Sequence, residues 1–377
     1  MSKTLQDYAT LINDTIQSNE TNHYITTDNM CQNLGGIDTF KSINIPQGKV
    51  RSFQKDDVLL SNIRLYFRKV YRAKQKGGCS SDVLVFRAKH IDSATLFAIL
   101  SSQIFTDYAC SGSQGSKMPR GNKTHMMDFK IPTINFIIAK IFNSIQNKIE
   151  NNHKINELLH KILELLYEQY FVRFDFLDEN NKPYQTSGGK MKFSKELNRL
   201  IPSGWSVRFL NHKIVSTYQP KTISKTLLND SYSYSVYGGG GIIGRFTEYN
   251  HEQSEFIISC RGQCGISYLT LPKSWITGNA MVIRPTKSYT SKTYLYHTIK
   301  KYKLTNYITG SVQPQITRQN LSTMPILIPK RKTLNKWNNI SSLLWNLIHN
   351  NMQSTQTLTA LRDFLLPLLL KQQVKPE

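Results

Sequence analysis

The sequence predicts an α+β fold: two β-rich lobes in tandem repeat, each followed by a long helix, with the two helices pairing as an antiparallel coiled-coil spacer. Three observations predict it. Matching passages recur at a nearly constant distance, short runs of β-branched and aromatic residues cluster in two regions, and an apolar seam with helical spacing follows each region. With 377 residues, the chain is long enough for two or three domains with their own cores.

The repeat is carried by equivalent residues that lie between 195 and 199 positions apart. These pairs are Ser61 and Ser259, Arg87 and Arg284, Gly115 and Gly310, Pro132 and Pro329, and Asn152 and Asn351. A drift of only a few residues over half the chain indicates a tandem duplication of one unit.

Within the lobes, short apolar runs bounded by Gly, Ser and Asn are typical of strands. They cover residues 57–63, 82–88, 255–260 and 280–285. The spacing also predicts a helix over 93–109 in the first lobe and its counterpart over 291–308 in the second.

The long helices follow the lobes. Their seams have 4-3-4 spacing and pass through Ile134, Ile138, Ile141, Ile145, Ile155, Leu159, Ile162 and Leu166, and through Trp337, Ile340, Leu344, Leu347, Leu358, Leu361, Leu365 and Leu368. Polar residues interrupt both seams midway: Lys148 and Asn152 in the first, Asn351 and Ser354 in the second. Each helix covering its own lobe is one interpretation. Pairing is favoured, because about 35 residues extend roughly 50 Å, and a polar break can fix the register of paired helices.

Net charge is +23 and concentrates in the lobes. Residues 1–132 carry 17 Lys and Arg against 11 Asp and Glu, and residues 204–332 carry 17 against 4. Such an excess favours a polyanionic partner through counterion release. A generally basic surface that aids solubility is the alternative. Antiparallel helices would place the lobes at opposite ends of a pseudo-two-fold molecule, which suits the local symmetry of duplex DNA.

Cysteine usage and hydropathy bear on the compartment. Five scattered cysteines suit a reducing cytoplasm better than a disulfide framework, so a cytoplasmic location is expected. No apolar run reaches the ~18 residues that a membrane span requires, and the first residues do not form a signal peptide. We therefore expect no membrane association.

This organisation resembles the specificity subunits of type I restriction–modification systems over nearly the whole chain. The stretches that carry the resemblance are VLLSNIRLYFRKVYRA, GGCSSDVLVFRA, YSVYGGGGIIGRF, SCRGQCGISYL, GSVQPQITRQNLSTMPILIP and LRDFLLPLLLK. The segment from Phe174 to Trp205 is similar to the lead-in to the second domain in that family. The glycine run 238–241 has no counterpart in the first lobe, and the first lobe lacks the IPSGW lead-in.

The resemblance implies a division of the chain and a set of partners. Its segments are a first target-recognition domain (1–132), a first spacer helix (133–172), a connector (173–203), a second target-recognition domain (204–332) and a second spacer helix (333–372). Each recognition domain would read one half of a bipartite site in double-stranded DNA. The helices would dock methyltransferase subunits, which restriction and motor subunits join. S-adenosylmethionine, ATP and magnesium are expected only in those partners, and no cofactor is expected here.

Candidate DNA-binding residues carry side chains that suit base edges and phosphates. They are Arg64, Arg68, Lys69, Ser116, Lys117, Arg120, Asn122, Lys123, Tyr237, Arg245, Arg261, Gln263, Ser311, Gln313, Gln315, Thr317 and Arg318. Other interpretations stay open: polar turns that cap strands, aromatic residues in a core, and a flexible glycine loop. Residues predicted to pair the helices and dock partners are Ile141, Ile145, Leu159, Ile162, Leu166, Leu344, Leu347, Leu358, Leu361 and Leu365.

Enzyme motifs fail on inspection. The glycine run lacks a following helix and acidic residue, and SGGK (187–190) lacks the earlier glycine and the Ser or Thr of a phosphate loop. Cys260, Cys264 and His251 lack a second ligand pair for zinc. We expect no catalytic and no metal site. The alternatives are a self-contained DNA methyltransferase or nuclease, and a coiled-coil structural protein that binds RNA.

Overall fold

The computed structural model describes residues 3–38, 43–131, 134–229, 232–262, 264–310 and 313–369. The chain forms two compact units. Residues Met1–Ile155 and Asn351–Glu377 form the first unit, and Asn156–Asn350 form the second. Each unit thus holds one lobe and a segment of both long helices, while the bounds of the five predicted segments stay predictions.

The first lobe combines two four-stranded sheets with short helices. Its elements are α1 (Leu5–Tyr8), β1 (Ala9–Ile12), β2 (Thr15–Gln17), β3 (Tyr24–Ile25), β4 (Lys49–Phe53), β5 (Val58–Ser61), β6 (Val70–Arg72), β7 (Gly77–Cys79), β8 (Val83–Ala88), α2 (Ser93–Leu100), α3 (Gln103–Ser111) and α4 (Lys123–Met127). The strand orders are β1-β8-β5-β6 and β2-β4-β7-β3. The first of the long helices, α5 (Phe136–Tyr167), begins against this lobe and continues as a π turn to Val172.

The second unit contains the connector and the second lobe. Its elements are β9 (Met191–Ser194), β10 (Arg199–Pro202), β11 (Ser206–Phe209), β12 (Val215–Tyr218), β13 (Tyr234–Gly238), β14 (Gly241–Phe246), β15 (Phe256–Ser259), β16 (Ser267–Leu269), β17 (Trp275–Ile276), β18 (Ala280–Pro285), α6 (Lys292–Lys300), β19 (Ile308–Thr309), β20 (Gln315–Ile316), α7 (Arg318–Leu321) and β21 (Pro325–Ile328). The second long helix, α8 (Arg331–Leu369), follows directly.

The two lobes contain the same central sheet. The order β12-β18-β15-β16 repeats the order β1-β8-β5-β6, and every pairing in both is antiparallel. The register also repeats, because Leu59 pairs with Val85 and the equivalent Ile257 pairs with Val282. The four strands predicted from apolar runs are confirmed as β5, β8, β15 and β18.

Two predictions about local structure were wrong. The helix predicted over 93–109 is two helices, because the Ser102 hydroxyl accepts a hydrogen bond from the Phe105 amide and starts a new helix there. The connector is not an extended crossover. It folds into the hairpin β9–β10, and Phe176 stacks on Trp205 with ring centroids 5.1 Å apart.

In the first unit, polar contacts join the two long helices. The Asn152 side-chain amide donates to the Thr355 hydroxyl at 3.2 Å, and the Arg362 guanidinium donates to Oε1 of the Gln146 side chain at 3.1 Å. Residue numbers increase along α5 from Gln146 to Asn152, while those of their partners on α8 decrease from Arg362 to Thr355. The two segments therefore run antiparallel. The Asn152 amide also lies 3.5 Å from the Ser354 hydroxyl, so the polar residues that interrupt the two seams meet.

In the second unit, aromatic contacts join the helices. His160 lies edge-on to Trp345 at 5.1 Å, and Tyr167 lies edge-on to Trp337 at 5.8 Å. The Asn156 amide also donates to the Ile348 carbonyl at 3.3 Å. These segments are antiparallel as well.

The buried faces of the helices differ from the predicted seams. Ile145 is buried, and Leu159, Leu166, Leu344, Leu358 and Leu365 are half-buried, but Ile141, Ile162, Leu347 and Leu361 are exposed. The buried positions include Phe142, Ile149 and Leu163. Phe142 lies one position after the predicted Ile141, and its ring packs against Phe97 of the first lobe with centroids 5.5 Å apart. Contacts with the lobe therefore also determine which face of α5 is buried. Among the described residues, no helix is long and apolar enough to cross a membrane.

Candidate nucleic-acid interface

In the first lobe, the turn after β5 lies beside the loop that precedes α4. Ile63 forms an antiparallel bridge with Arg120, and the Arg64 amide donates to the Pro119 carbonyl at 2.9 Å. The Arg64 guanidinium donates to the Lys117 carbonyl at 3.3 Å. We call residues 62–68 and 114–122 the first loop pair.

The second lobe has an equivalent arrangement. Arg261 bridges Gln315, and the Ile316 amide donates to the Cys260 carbonyl at 3.1 Å. The Cys264 thiol lies 3.1 Å from the Pro314 carbonyl, to which it donates. The described residues of 260–265 and 308–318 form the second loop pair, from which Gln263 and Ser311 fall outside the described residues.

Equivalent positions make equivalent contacts in the two loop pairs. Ile63 and Arg261 are 198 residues apart, and their partners Arg120 and Gln315 are 195 apart. Gly115 and Gly310 both adopt a left-handed backbone, with φ of 97° and 90°, which glycine tolerates at little cost. The repeated glycine therefore lies where a loop comes beside the end of a central strand in each lobe.

Two candidate residues cap helices. The Asn122 side chain accepts from the His125 amide and caps α4, and the equivalent Thr317 hydroxyl accepts from the Asn320 amide and caps α7. Their side-chain oxygens therefore hold the local backbone, as N-cap residues do. Lys123 and Arg318 are the first residues of these helices, and both are exposed.

Most of the remaining candidates in the loop pairs are exposed. They are Ser116, Lys117, Arg120, Arg261, Gln313 and Gln315. The Arg120 side chain keeps 63% of its surface exposed although it forms an ion pair with Asp82 at 3.1 Å. The loop pairs therefore present cationic and amide groups of the types that contact phosphates and base edges.

The glycine run of the second lobe is the turn between β13 and β14. A Cβ atom on Gly239 would lie 2.9 Å from the Arg261 carbonyl oxygen, so only glycine allows the turn to pack on the second loop pair. A Cβ atom on Gly240 would meet nothing within 4 Å. The structure thus brings the glycine turn, Arg261 and Gln315 together.

Four candidate residues are buried or half-buried and form hydrogen bonds within the protein. Tyr237 is a correction: it is only 3% exposed, its hydroxyl accepts from the Leu271 amide at 3.0 Å, and burial raises its pKa to about 12. The Arg68 guanidinium donates to the Ser101 carbonyl at 2.8 Å, and burial lowers its pKa. Lys69 and Arg245 are half-buried. The Lys69 ammonium donates to the Thr27 carbonyl, and the Arg245 guanidinium donates to the Ser233 carbonyl at 2.9 Å.

A matched ion pair supports the central sheet of each lobe. The Arg87 guanidinium donates two hydrogen bonds of 2.8 Å to the buried Asp57 carboxylate, and the Arg284 guanidinium donates to Glu255 at 2.7 and 3.1 Å. The repeated arginines were visible in the sequence as a pair 197 residues apart, but their partners were not recognised.

Sequence reasoning also missed exposed apolar groups near the loop pairs. Tyr66 is 52% exposed beside Arg64, and Ile242 and Ile243 are 48% and 36% exposed on β14. Only solvent exposure distinguishes these residues from the buried apolar residues of the lobes, and no sequence pattern predicts their exposure.

The cysteines and His251 of the second lobe have other partners. The Tyr218 hydroxyl is 2.8 Å from His251 Nε2, and the Gln219 amide donates to Cys260 Sγ. Burial raises the pKa of the Cys260 and Cys264 thiols. Within the described part of the chain, no group of three His, Cys, Asp or Glu side chains is placed to hold a metal ion.

Comparison with known proteins agrees with this geometry. Residues 202–361 match the family model described as the type I restriction modification DNA specificity domain. The matched residues cover the second lobe and most of the second long helix. The resemblance to type I specificity subunits that the sequence predicted is therefore confirmed.

Two relatives extend the likeness beyond that domain. The type I restriction enzyme MjaIX specificity subunit of Methanocaldococcus jannaschii is 21% identical over 320 residues, which cover 75% of this chain and 69% of the relative. The crystal structure of the S subunit of a type I restriction–modification system from M. genitalium superposes with a TM-score of 0.63 at 13% identity. That match covers 99% of this chain and 96% of the other. The structural likeness extends the shared α+β fold over the first lobe.

Proposed function

We propose that this chain is a non-catalytic DNA-recognition subunit that binds a bipartite duplex site within a type I restriction–modification complex. The observation that carries the proposal is the double occurrence of one loop pair. Each copy lies at the end of the same central strand, in a lobe with excess positive charge. A polyanion with two related binding surfaces is the partner that such a duplication fits.

Under this proposal, the two lobes are tandem recognition domains and the paired helices are their spacer. Helices of 32 and 39 residues extend about 48 and 58 Å, more than the ~34–36 Å of one duplex turn. The equivalent positions 120 and 315 hold Arg and Gln, which favour guanine and adenine respectively. The two halves of the site are therefore expected to differ in sequence.

Exposed apolar residues on the long helices support docking of methyltransferase subunits. In the second unit these are Leu158, Ile162 and Leu165 on α5, and Ile340, Leu343 and Leu347 on α8. In the first unit they are Phe136, Ile137, Ile141 and Ile155 on α5, and Leu361 and Phe364 on α8. Leu158, Ile162 and Leu165 share one face of α5 by their spacing, and exposed apolar faces of this kind are typical of protein interfaces. S-adenosylmethionine, ATP and magnesium would act in the methyltransferase and motor subunits.

The test exchanges the equivalent residues of the loop pairs. Arg120→Gln is expected to change base preference in one segment of the selected DNA site only, and the matched Gln315→Arg in the other segment only. The readout is sequencing of duplexes that the partner-assembled chain selects from a random pool. A change in both segments from one substitution would contradict independent lobes. A uniform loss of affinity with a smaller salt dependence would assign Arg120 to a phosphate instead of a base.

A further inference from the structure

The hairpin β13–β14 carries an exposed apolar pair in the most basic part of the chain. Ile242 and Ile243 are 48% and 36% exposed. Tyr237 pairs with Ile242 and Val236 with Gly244, so Ile243 is the extra residue of a β-bulge, where the usual alternation of faces is interrupted. A single exposed isoleucine is ordinary, whereas an adjacent exposed pair beside cationic loops suits a contact surface.

The hairpin is anchored to the rest of the second lobe. Phe246 lies edge-on to Trp275 at 5.4 Å, and the buried Tyr237 pairs with both Ile242 and Ile276 across neighbouring strands. An anchored hairpin loses little conformational entropy when a partner covers Ile242 and Ile243. The exposed pair is thus held in place for a partner.

Ile242 and Ile243 also lie next to the second loop pair. The Ile243 side chain lies over Gly238, because a Cβ there would approach it to 3.0 Å, and the neighbouring Gly239 packs on the Arg261 carbonyl. Arg261 in turn bridges Gln315. The isoleucine pair and the second loop pair are therefore close neighbours in the lobe.

The positive charge of the second lobe favours duplex DNA as that partner. Residues 204–332 carry 17 Lys and Arg but only 4 Asp and Glu. Isoleucine is among the side chains that DNA-bending proteins insert between base steps, and flexible pyrimidine–purine steps unstack at least cost.

We propose that Ile242 and Ile243 form an apolar wedge that inserts into the base stack of the second half-site, flanked by Arg261 and the glycine turn. This inference rests on the proposed function. It also predicts an asymmetry, because the glycine run 238–241 that builds the hairpin has no counterpart in the first lobe. The second half-site is unstacked and the first is not.

The test places 2-aminopurine, whose fluorescence rises on unstacking, at single adenines of each half of the selected duplex. The full chain is expected to raise fluorescence in the second half-site only. The double variant Ile242→Ser/Ile243→Ser should abolish the rise and weaken specific binding about tenfold or more. Non-specific binding and its salt dependence should stay unchanged, because no charge is removed.

The matched control is Leu200→Ser, which removes an equally exposed apolar side chain (54%) from the connector hairpin β9–β10. It should leave the signal intact. Specific binding by the wild-type chain without any fluorescence rise overturns the wedge but not the proposed function. Failure of the wild-type chain to select any duplex overturns both. An unchanged signal in the double variant also overturns the wedge.

Discussion

The buried carboxylate of Asp57 is held by the Arg87 guanidinium on the adjacent strand through two hydrogen bonds of 2.8 Å. Its side chain is 2% exposed, whereas that of Arg87 is 34% exposed. Removing the arginine leaves a buried charge without a partner, which typically costs about 3–5 kcal/mol. We therefore expect Arg87→Leu to lower the free energy of unfolding by about 3 kcal/mol, measured by urea denaturation.

The exposed pair of Arg120 and Asp82 supplies the control. Arg120→Leu is expected to cost less than about 1 kcal/mol, since exposed ion pairs contribute little. The equivalent Arg284→Leu in the second lobe should behave like Arg87→Leu. Equal small losses at all three arginines would show that the repeated pair does not stabilise the central sheets.

At the scale of elements, three histidines lie where α6 meets the long helices of the second unit. His297 is 3% exposed, stacks on Tyr167 and lies edge-on to Trp337. Burial lowers its pKa to about 3, burial lowers the pKa of His349 to about 4, and burial also lowers the pKa of His160. All three are therefore neutral in the folded chain at neutral pH.

This burial makes stability depend on pH. The unfolded chain binds a proton at each histidine below about pH 6.5, while folded His297 stays neutral down to about pH 3. Stability is therefore full above pH 6.5 and falls as the pH drops below it. From pH 7 to pH 5, His297 alone contributes a loss of about 2 kcal/mol.

The corresponding variant is His297→Phe, which keeps an aromatic ring but cannot take up a proton. Thermal or urea unfolding from pH 7 to pH 5 should show a smaller loss of stability by about 2 kcal/mol. The control is replacement of the exposed His153 by Gln, measured over the same pH range. An equally steep decline in the His297 variant would contradict a buried neutral histidine.

Elements differed in how well the sequence predicted them. The central strands β5, β8, β15 and β18 were predictable because β-branched runs end at turn residues. The hairpin β9–β10 was not, since its polar strands lack alternation and Asn198 closes the turn with a left-handed backbone (φ 48°). The buried face of α5 also depends on contacts with the lobe, such as that of Phe142 with Phe97, which spacing along one helix does not report.

Candidate site residues show the same limit. The sequence located both loop pairs, because equivalent glycines and a constant offset mark them. It did not separate Arg261, which is exposed, from Tyr237, which is buried on β13. It also did not show that Asn122 and Thr317 cap helices, since capping depends on where each short helix begins.

For the whole molecule, docking of partner subunits has its own test. Ile162→Glu/Leu165→Glu places charges on an exposed apolar face of α5 and is expected to reduce capture of the methyltransferase subunit from cell extract at least tenfold. Ile104→Glu on α3, where the side chain is 40% exposed, should leave capture unchanged. Both variants should fold normally, because exposed positions contribute within about 0.5 kcal/mol. Undiminished capture by the α5 variant would place the docking surface elsewhere.

The most direct measurement of the central claim is selection of duplex DNA from a random pool by the full chain assembled with the subunits that co-purify with it. We predict two conserved segments of different sequence, separated by a gap of fixed length and unspecified bases, with binding that weakens steeply as salt rises. The chain alone should neither methylate nor cleave the selected DNA. One continuous conserved segment, or equal retention of every sequence, would contradict a chain in which two lobes each read half of a divided site.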